Sequence, residues 1–250
     1  MSEKPTSGPV SMKTNHTAAE LRALAHVREW VFDLDNTLYP RTSDLFAQID
    51  WKMTDYVAAL LETDKETARA EQKRLYREHG TTLRGLMSDH GIDPHDFLAK
   101  VHDIDYAPVA PNEALGAMIA ALPGRAHIFT NGDVPHARRT TDRLGITEHF
   151  ETVFDIVAAD LEPKPARRPY ERFLEASGVD PSRAAMFEDM PRNLSVPHAM
   201  GMRTVLVLPT GFEGTDAQRW EHEVERAEEI DFATDHLDDF LADVLAALAD

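Results

Sequence analysis

The second half of the chain alternates short apolar runs with longer segments of helical pattern, and this alternation limits the fold more than any other feature. Each run has the length and residue types of a buried β-strand. The runs cover residues 126–129, 152–157, 184–187 and 204–208. The predicted helices between them end at Gly145, Gly178 and Gly201, as expected for left-handed C-terminal caps. Repeated strand and helix units of this length predict a mostly parallel, doubly wound sheet with helices on both faces.

An earlier apolar run, residues 30–32, ends in Asp33, and Asp35 follows two positions later. We expect this run to join the same sheet, because a lone strand ahead of a helical block has no other partner. Side chains two apart in a strand leave on the same side, so the two carboxylates can converge. Such a pair is costly at a buried strand end without a cation or a chemical task. The alternative is a solvated turn, since Asn36 and Thr37 are common turn residues.

The segment between this first strand and the later ones has a helical pattern and no convincing strand. An amphipathic helix is predicted over residues 43–61, a second follows Asp64 and stops at Gly80, and another begins at Asp93 and Pro94. The sequence therefore predicts an α/β, Rossmann-like core with an inserted all-helical cap. The predicted divisions are a disordered tail at 1–20, the core at 21–40 and 110–250, and the cap at 41–109.

Composition excludes several classes of protein. The chain has 250 residues, contains no Cys and carries a formal net charge of -18. Disulfides and thiolate metal sites are therefore excluded, and a nucleic-acid polymer or an anionic membrane surface is not an expected partner. No apolar run resembles a signal peptide or reaches membrane-spanning length, so we expect a cytoplasmic protein. The oligomeric state stays open.

Polar residues follow the later strands at the positions where a parallel sheet collects its ligands. Each has an ordinary explanation as a turn residue, a helix cap or a surface lysine. Together they supply carboxylates for Mg²⁺ and donors for a phosphoryl group. The residues are Thr130, Asn131 and Gly132 after the second strand, Lys164 between two prolines, and Glu188, Asp189 and Asn193 after the fourth.

These motifs, in this order, resemble the haloacid dehalogenase superfamily of Mg²⁺-dependent phosphotransferases with a helical cap after the first strand. The resemblance rests on Asp33-Leu-Asp35-Asn-Thr37, on Thr130 in Phe-Thr-Asn-Gly, on Lys164 in Pro-Lys-Pro, and on Glu188-Asp189. It covers nearly all of residues 30–234.

The resemblance implies a role for each of these residues. Asp33 is the implied nucleophile that forms an aspartyl-phosphate, and Asp35 the implied acid and base. Asp33, the backbone carbonyl of Asp35 and Asp189 are the implied Mg²⁺ ligands. Phosphate binding falls to Thr130, Asn131, Gly132 and Lys164, and a supporting role to Thr37, Glu188 and Asn193. Met190 and Asn193 depart from the Ser and Asp common in the fourth motif, and Asp35 argues against dehalogenase activity, because the dehalogenases lack this second acid.

Three further segments look like the pyrimidine 5'-nucleotidase branch: 35–40, 80–87 and 102–106. Residues that could contact a base are Tyr39, Arg84, Met87, His102 and Tyr106, although each could equally serve the cap core or an exposed helix face. The resemblance implies release of phosphate from nucleoside 5'-monophosphates such as UMP or CMP. A phosphatase or phosphomutase for another small phosphorylated metabolite and a non-catalytic binding protein are the alternatives.

Overall fold

A six-stranded sheet forms the centre of the molecule in the computed structural model, which describes residues 12–209 and 227–249. Its strands are β1 Glu29–Phe32, β2 Arg125–Phe129, β3 Thr152–Phe154, β4 Ala184–Glu188, β5 Arg203–Val207 and β6 Phe232–Thr234. The order across the sheet is β3-β2-β1-β4-β5-β6, and every neighbouring pair is parallel. The prediction of a doubly wound parallel sheet that includes the first apolar run is therefore confirmed.

Helices surround the sheet and form a separate block beyond its carboxyl edge. They are α1 Ala18–Leu21, α2 Leu45–Leu61, α3 Lys65–His79, α4 Thr82–His90, α5 Pro94–Val101, α6 Glu113–Ala121, α7 Val134–Leu144, α8 Arg167–Ser177, α9 Ser195–Ala199 and α10 Leu237–Ala249. Within the described part of the chain, none of them is long and apolar enough to cross a membrane.

The alternation of side chains along β1 divides the core into two layers. Trp30 and Phe32 are buried on one face with residues of α1, α6 and α10, whereas Val31 is buried on the other face with Tyr170 and Phe173 of α8. Each large apolar side chain buried in this way contributes about 1.5–3 kcal/mol to folding. Because both faces are covered, β1 is held rigidly in the middle of the sheet, and so is the end of β1, where Asp33 follows.

The described elements between residues 41 and 109 are all helical. Helix α3 begins at Asp64, whose side chain accepts hydrogen bonds from two backbone N–H groups, and it ends at Gly80, where φ is +85°. Asp93 caps α5 in the same way, so both predicted helix starts are confirmed. Ile49, Leu75 and Phe97 bring α2, α3 and α5 together in a core of their own, separate from the two sheet layers.

The predicted disordered tail extends too far. Residues 1–11 lie outside the described part of the chain, but residues 17–20, which were predicted to be disordered, begin a helix instead. Thr17 and Glu20 form a reciprocal capping box at the start of α1, and His16 Nε2 lies 2.9 Å from the carbonyl oxygen of Ala233. The polar composition of this segment hid a helix start that the Thr-x-x-Glu spacing before the buried Leu21 signals.

Candidate active site

The central strands deliver their following residues to one edge of the sheet. The N–H of Asp33 donates to the carbonyl oxygen of Phe187 over 2.9 Å, so pairing between β1 and β4 continues to this residue. Asp33 follows β1, Thr130 follows β2, and Glu188 closes β4. All three side chains are buried. The strand-end residues therefore meet at one place, as the parallel sheet requires.

Lys164 is an almost fully buried ammonium at this edge, with 1% of its side chain exposed. Its Nζ donates to Asp33 Oδ1 over 2.7 Å, to Glu188 Oε1 over 2.9 Å and to the carbonyl oxygen of Phe129 over 2.8 Å. These bonds use all the donors that an ammonium has. Burial alone would lower the pKa of Lys164, but the carboxylates of Asp33 and Glu188 outweigh it and raise the pKa. The amine therefore stays charged and fixes the orientation of Asp33.

The turn after β2 holds the Lys164 loop. Asn131 Oδ1 accepts the backbone N–H of Lys164 over 2.9 Å, and the hydroxyl of Thr130 accepts the N–H of Gly132 over 2.9 Å. A Cβ on Gly132 would lie 3.1 Å from the ring of His136, so a larger residue would press on that ring. Asn131 and Gly132 line the cavity described below, whereas Thr130 is buried behind them.

Three carboxylates form one cluster at the sheet edge. Asp33, Glu188 and Asp189 each offer an oxygen within 4.8 Å of the others. Burial raises the pKa of Asp33 to about 7, against the opposing effect of Lys164. Burial and the charges of Glu188 and Asp33 likewise raise the pKa of Asp189 well above its usual range. Like charges held this close need a compensating cation or a shared proton.

The donor set fits a hard divalent cation. All of its side-chain ligands are carboxylate oxygens, and one buried ammonium leaves the three acids with excess negative charge. Glu188 is the most occupied of the three: its Oε1 also accepts from Asn193 over 2.6 Å, and its Oε2 accepts the N–H of Met190 over 2.7 Å. Asn193, which stands where the fourth motif of the resembling superfamily commonly has Asp, thus contacts Glu188 here.

Asp35 stands apart from the three-acid cluster. Its Oδ1 accepts the hydroxyl of Tyr39 and lies 2.8 Å from His136 Nε2. Burial would raise the pKa of Asp35, but His136 and the Tyr39 hydrogen bond outweigh it and hold the pKa below its ordinary value. Thr37, two residues on, donates instead to Asp33 Oδ2 over 3.1 Å. The two acids of the first motif therefore occupy different electrostatic environments.

His136 was missed in the sequence, although its position follows from a simple local rule. Asp133 caps α7 by accepting the N–H of His136 over 2.9 Å, which places His136 in the first turn beside the sheet edge. Asp155 also supports this helix start, because it accepts the N–H of Val134 over 2.9 Å. Strand β3 therefore ends at Phe154, three residues before the predicted end at 157. An Asp-x-x-His spacing directly after the Thr-Asn-Gly turn is the signal that could have identified His136.

A cavity of about 430 Å³ lies between the sheet edge and the cap. Its floor includes Asp33, Asp35 and Asp189, and its cap side includes Trp51 of α2 and Lys73 of α3. The core and the cap touch at Arg192, whose guanidinium donates to the hydroxyl of Tyr76 in α3. The guanidinium lies 5.0 Å from the centre of the Tyr76 ring. The cap helices therefore face the acids across the cavity, and Tyr76 of the cap contacts the core directly.

Of the five residues expected to contact a base, His102 alone lines this cavity. Tyr39 and Tyr106 instead contact Asp35 and His136. Arg84 faces Glu162 at 3.6 Å with 45% of its side chain exposed, and Met87 packs against the cap core. The sequence did not identify the cap residues that do line the cavity, because polar and aromatic residues on a helix look alike whether they face solvent, a neighbouring helix or a ligand. These include Trp51, Arg69, Gln72, Lys73 and Tyr76.

Comparison with known proteins agrees with this arrangement. Residues 30–201, which carry all four motifs, match the haloacid dehalogenase-like hydrolases. The chain belongs to this family. A relative of this haloacid dehalogenase-like hydrolase, Phosphate metabolism protein 8 of Saccharomyces cerevisiae, is 25% identical over 195 residues. The alignment covers 71% of this chain and 60% of the yeast protein, so the chain spans less than two thirds of that relative.

Solved structures of the haloacid dehalogenase-like fold resemble this chain at low sequence identity. The L-2-haloacid dehalogenase of Xanthobacter autotrophicus, with chloropropionic acid covalently bound, has a TM-score of 0.57 and 17% identity, over 86% of this chain and 97% of the other. A HAD phosphatase from Thermococcus onnurineus has a TM-score of 0.53 and 18% identity, over 76% and 90% respectively. These similarities establish the shared fold.

Proposed function

We propose that this hydrolase removes phosphate from small phosphomonoesters, with Mg²⁺ as cofactor and with Asp33 as the residue that receives the phosphoryl group. The observation that carries the proposal is the meeting of Asp33, Lys164 and Asp189 on the floor of a cavity between the sheet edge and the cap. A phosphoryl group brings negative charge, so its site needs fixed positive charge and a nucleophile held in line. Dehalogenase activity is not proposed, because Asp35 supplies a second acid that phosphoryl transfer needs.

Asp33 and Asp35 divide the chemistry between them in this proposal. Lys164 holds the Asp33 carboxylate in one orientation, from which an oxygen attacks phosphorus and forms an aspartyl-phosphate. Asp35 gives a proton to the leaving oxygen and then takes one from the attacking water, so the same group serves both half-reactions. The backbone N–H of Asn131 is the proposed donor to a phosphoryl oxygen, since the Asn131 side chain is bound to the Lys164 backbone and the N–H of Gly132 to the Thr130 hydroxyl.

Asp33, Asp189 and the backbone carbonyl of Asp35 are the proposed Mg²⁺ ligands, with Glu188 as their support. Glu188 already accepts hydrogen bonds at both carboxylate oxygens, which suits a supporting role better than direct coordination. When bound, the ion would neutralise charge on the phosphoryl oxygens. Thr37 and Asn193 hold Asp33 and Glu188 through their side chains.

The cavity supports a nucleoside 5'-monophosphate as the substrate. Its volume of about 430 Å³ suits a small metabolite rather than a polymer. The cap side presents the half-exposed ring of Trp51, whose centre lies 4.9 Å from the Arg69 guanidinium. Aromatic and guanidinium planes stack on nucleobases. UMP and CMP are the proposed substrates, and the name of the yeast relative also concerns phosphate metabolism.

Phosphate release from a panel of UMP, CMP, AMP and sugar phosphates tests the proposal. We expect release from at least one nucleotide, loss of that release with EDTA and its return with Mg²⁺. Asp33→Asn is the matched control, because it keeps the side-chain shape and removes the nucleophile. Isomer formation without free phosphate would indicate a phosphomutase instead. If none of the compounds reacts in a metal-dependent way, the proposal fails and a non-catalytic binding role is favoured.

A further inference from the structure

The carboxylate of Asp35 is held at one oxygen by two neighbours. Oδ1 accepts the hydroxyl of Tyr39 and the N–H of His136 Nε2, which lies 2.8 Å away. While Asp35 is ionised, Nε2 is the donor in this contact, because a carboxylate only accepts hydrogen bonds. Within the described residues, no hydrogen bond reaches Oδ2, which lies on the side of Gly132, 3.8 Å from where a Cβ would stand. One oxygen of Asp35 is therefore anchored and the other is left for a ligand in the cavity.

His136 is itself immobile. Its side chain is fully buried, and its ring stacks on that of His102 with centroids 4.4 Å apart and an angle of 9°. The second ring nitrogen, Nδ1, lies 2.9 Å from the hydroxyl of Tyr106. Contacts at both nitrogens and on a ring face leave His136 with one orientation, so it can hold Asp35 in one orientation too.

These contacts join the core to the segment that leaves the cap. His136 belongs to α7 of the core, whereas His102 caps the end of α5 in the cap, and Tyr106 lies in the connection that follows. The hydroxyl of Tyr106 also lies 3.1 Å from the carbonyl oxygen of His102. A continuous series of contacts therefore runs from Asp35 through His136 and Tyr106 to the cap connection.

We infer that His136 is a positioning residue for Asp35: it anchors Oδ1 so that Oδ2 faces the substrate, and Tyr106 ties this anchor to the cap connection. The inference deepens the proposed function and rests on it for the role of Asp35. Positioning of an acid and base matters mainly in the transition state, so its loss lowers kcat rather than raising KM. A misplacement of about 1 Å costs roughly 100-fold in rate.

Two substitutions separate positioning from packing. In His136→Gln, the amide nitrogen can replace Nε2 as donor to Asp35, whereas His136→Leu fills similar space without a donor. We expect His136→Gln to keep kcat within about 5-fold and His136→Leu to lose about 100-fold, with KM for UMP changed by less than about 3-fold in both. The kcat of Tyr106→Phe should lie between those of the two His136 variants. This change removes the hydroxyl that contacts His136 Nδ1 but keeps His136 itself.

Thr140→Val is the matched control on the same helix. Thr140 is fully buried one turn beyond His136, and its hydroxyl has no hydrogen-bond partner among residues 12–209 and 227–249. Because valine has nearly the same shape, this variant should leave kcat and the orientation of Asp35 unchanged. A loss of activity in Thr140→Val as large as that in His136→Leu would attribute the effect to helix packing and overturn the inference.

Crystal structures of the Gln and Leu variants keep the two proposals distinguishable. We expect the Asp35 carboxylate to stay in place in His136→Gln and to rotate in His136→Leu. An unmoved Asp35 in His136→Leu contradicts the inference, whatever the activity. If the wild-type enzyme releases no phosphate from any compound, the proposed function fails, and the position of Asp35 in the two structures still decides whether His136 anchors it.

Discussion

Lysine or arginine lies next to carboxylates both at the sheet edge and on the cap wall, the cavity-lining face of α2 and α3 around Trp51, Arg69 and Lys73. The two places differ in how deeply these charges are buried. Lys164 at the sheet edge has 1% of its side chain exposed and all its donors bound. Arg69 and Lys73 on the cap wall are 35% and 32% exposed and share the single carboxylate of Asp50. A buried ion left without its partner is far more costly than an exposed one. The edge is therefore rigid and suited to chemistry, and the wall is adaptable and suited to recognition.

Loss of the buried ammonium should have the largest effect. Lys164→Met would leave Asp33 and Glu188 buried without their cation, so we expect about 3 kcal/mol less stability in urea unfolding. Phosphate release should fall by about 100-fold to 1,000-fold, because the nucleophile loses its orientation and the site its fixed positive charge. Both quantities can be measured on the same preparation.

Lys65→Met is the matched control for that change. Lys65 pairs with Asp55 at 2.8 Å on the cap surface, with 68% of its side chain exposed. Its loss should cost less than about 1 kcal/mol and leave activity unchanged. Equal destabilisation by the two substitutions would contradict the contrast between edge and surface.

Removal of the cap-wall ring should change recognition rather than chemistry. Trp51→Ala should lower kcat/KM for UMP by about 10-fold, because stacking of a base on an aromatic ring contributes roughly 1–3 kcal/mol. Hydrolysis of ribose 5-phosphate, which has no base, should not change. Leu60→Ala is the control, since Leu60 is a partly exposed apolar residue of the same helix outside the cavity. An equal loss with both substrates would exclude base stacking at Trp51.

The carboxylate of Asp50, which pairs with both Arg69 and Lys73, should make the stability of the cap fall at acid pH. Burial would raise the pKa of Asp50, but Lys73 and Arg69 outweigh it and lower the pKa. A lowered folded-state pKa gives stability that is present above the unfolded value, near pH 4, and is lost as pH falls through the folded value.

We therefore expect wild type to exceed Asp50→Asn by about 1 kcal/mol at neutral pH. The difference should shrink below about pH 4, where the wild-type carboxyl is protonated as well. Thermal unfolding of both proteins across this pH range measures it. A difference that does not vary with pH would show that packing, and not charge, holds Asp50.

The smallest effect is expected at Arg84. Its guanidinium lies outside the cavity and 3.6 Å from Glu162, with 45% of the side chain exposed. Arg84→Ala should therefore leave kcat and KM for UMP within about 2-fold of wild type. A larger rise in KM would return Arg84 to the substrate-contacting role that the sequence suggested.

The difference between the sheet edge and the cap wall also explains which site residues could be predicted from the sequence. Asp33 and Lys164 were found because strand ends and a proline-flanked lysine follow local rules that a parallel sheet brings together. In the structure, Lys164 Nζ lies 2.7 Å from Asp33 Oδ1. By contrast, the cavity-facing role of Trp51 and Lys73 depends on how α2 and α3 pack over the core. Their spacing matches an ordinary solvated helix face, so no local pattern marks them.

Some local signals were present but masked by composition. The capping box at Thr17 and Glu20 starts a helix inside a polar segment that was predicted to be disordered. His136 sits three residues after a capping Asp, yet its contact with Asp35 joins residues far apart in the chain. The boundaries of the cap at residues 41–109 stay a prediction, as do the roles of the individual site residues.

Direct detection of the phosphorylated enzyme tests the central claim. The protein is mixed with Mg²⁺ and its best substrate, stopped in acid during turnover, digested and examined by mass spectrometry. We predict one phosphoryl group on Asp33 in the wild type and none in Asp33→Asn, with Asp35 unmodified in both. Turnover with Asp33 never phosphorylated, or a phosphoryl group carried by another residue, would contradict the account.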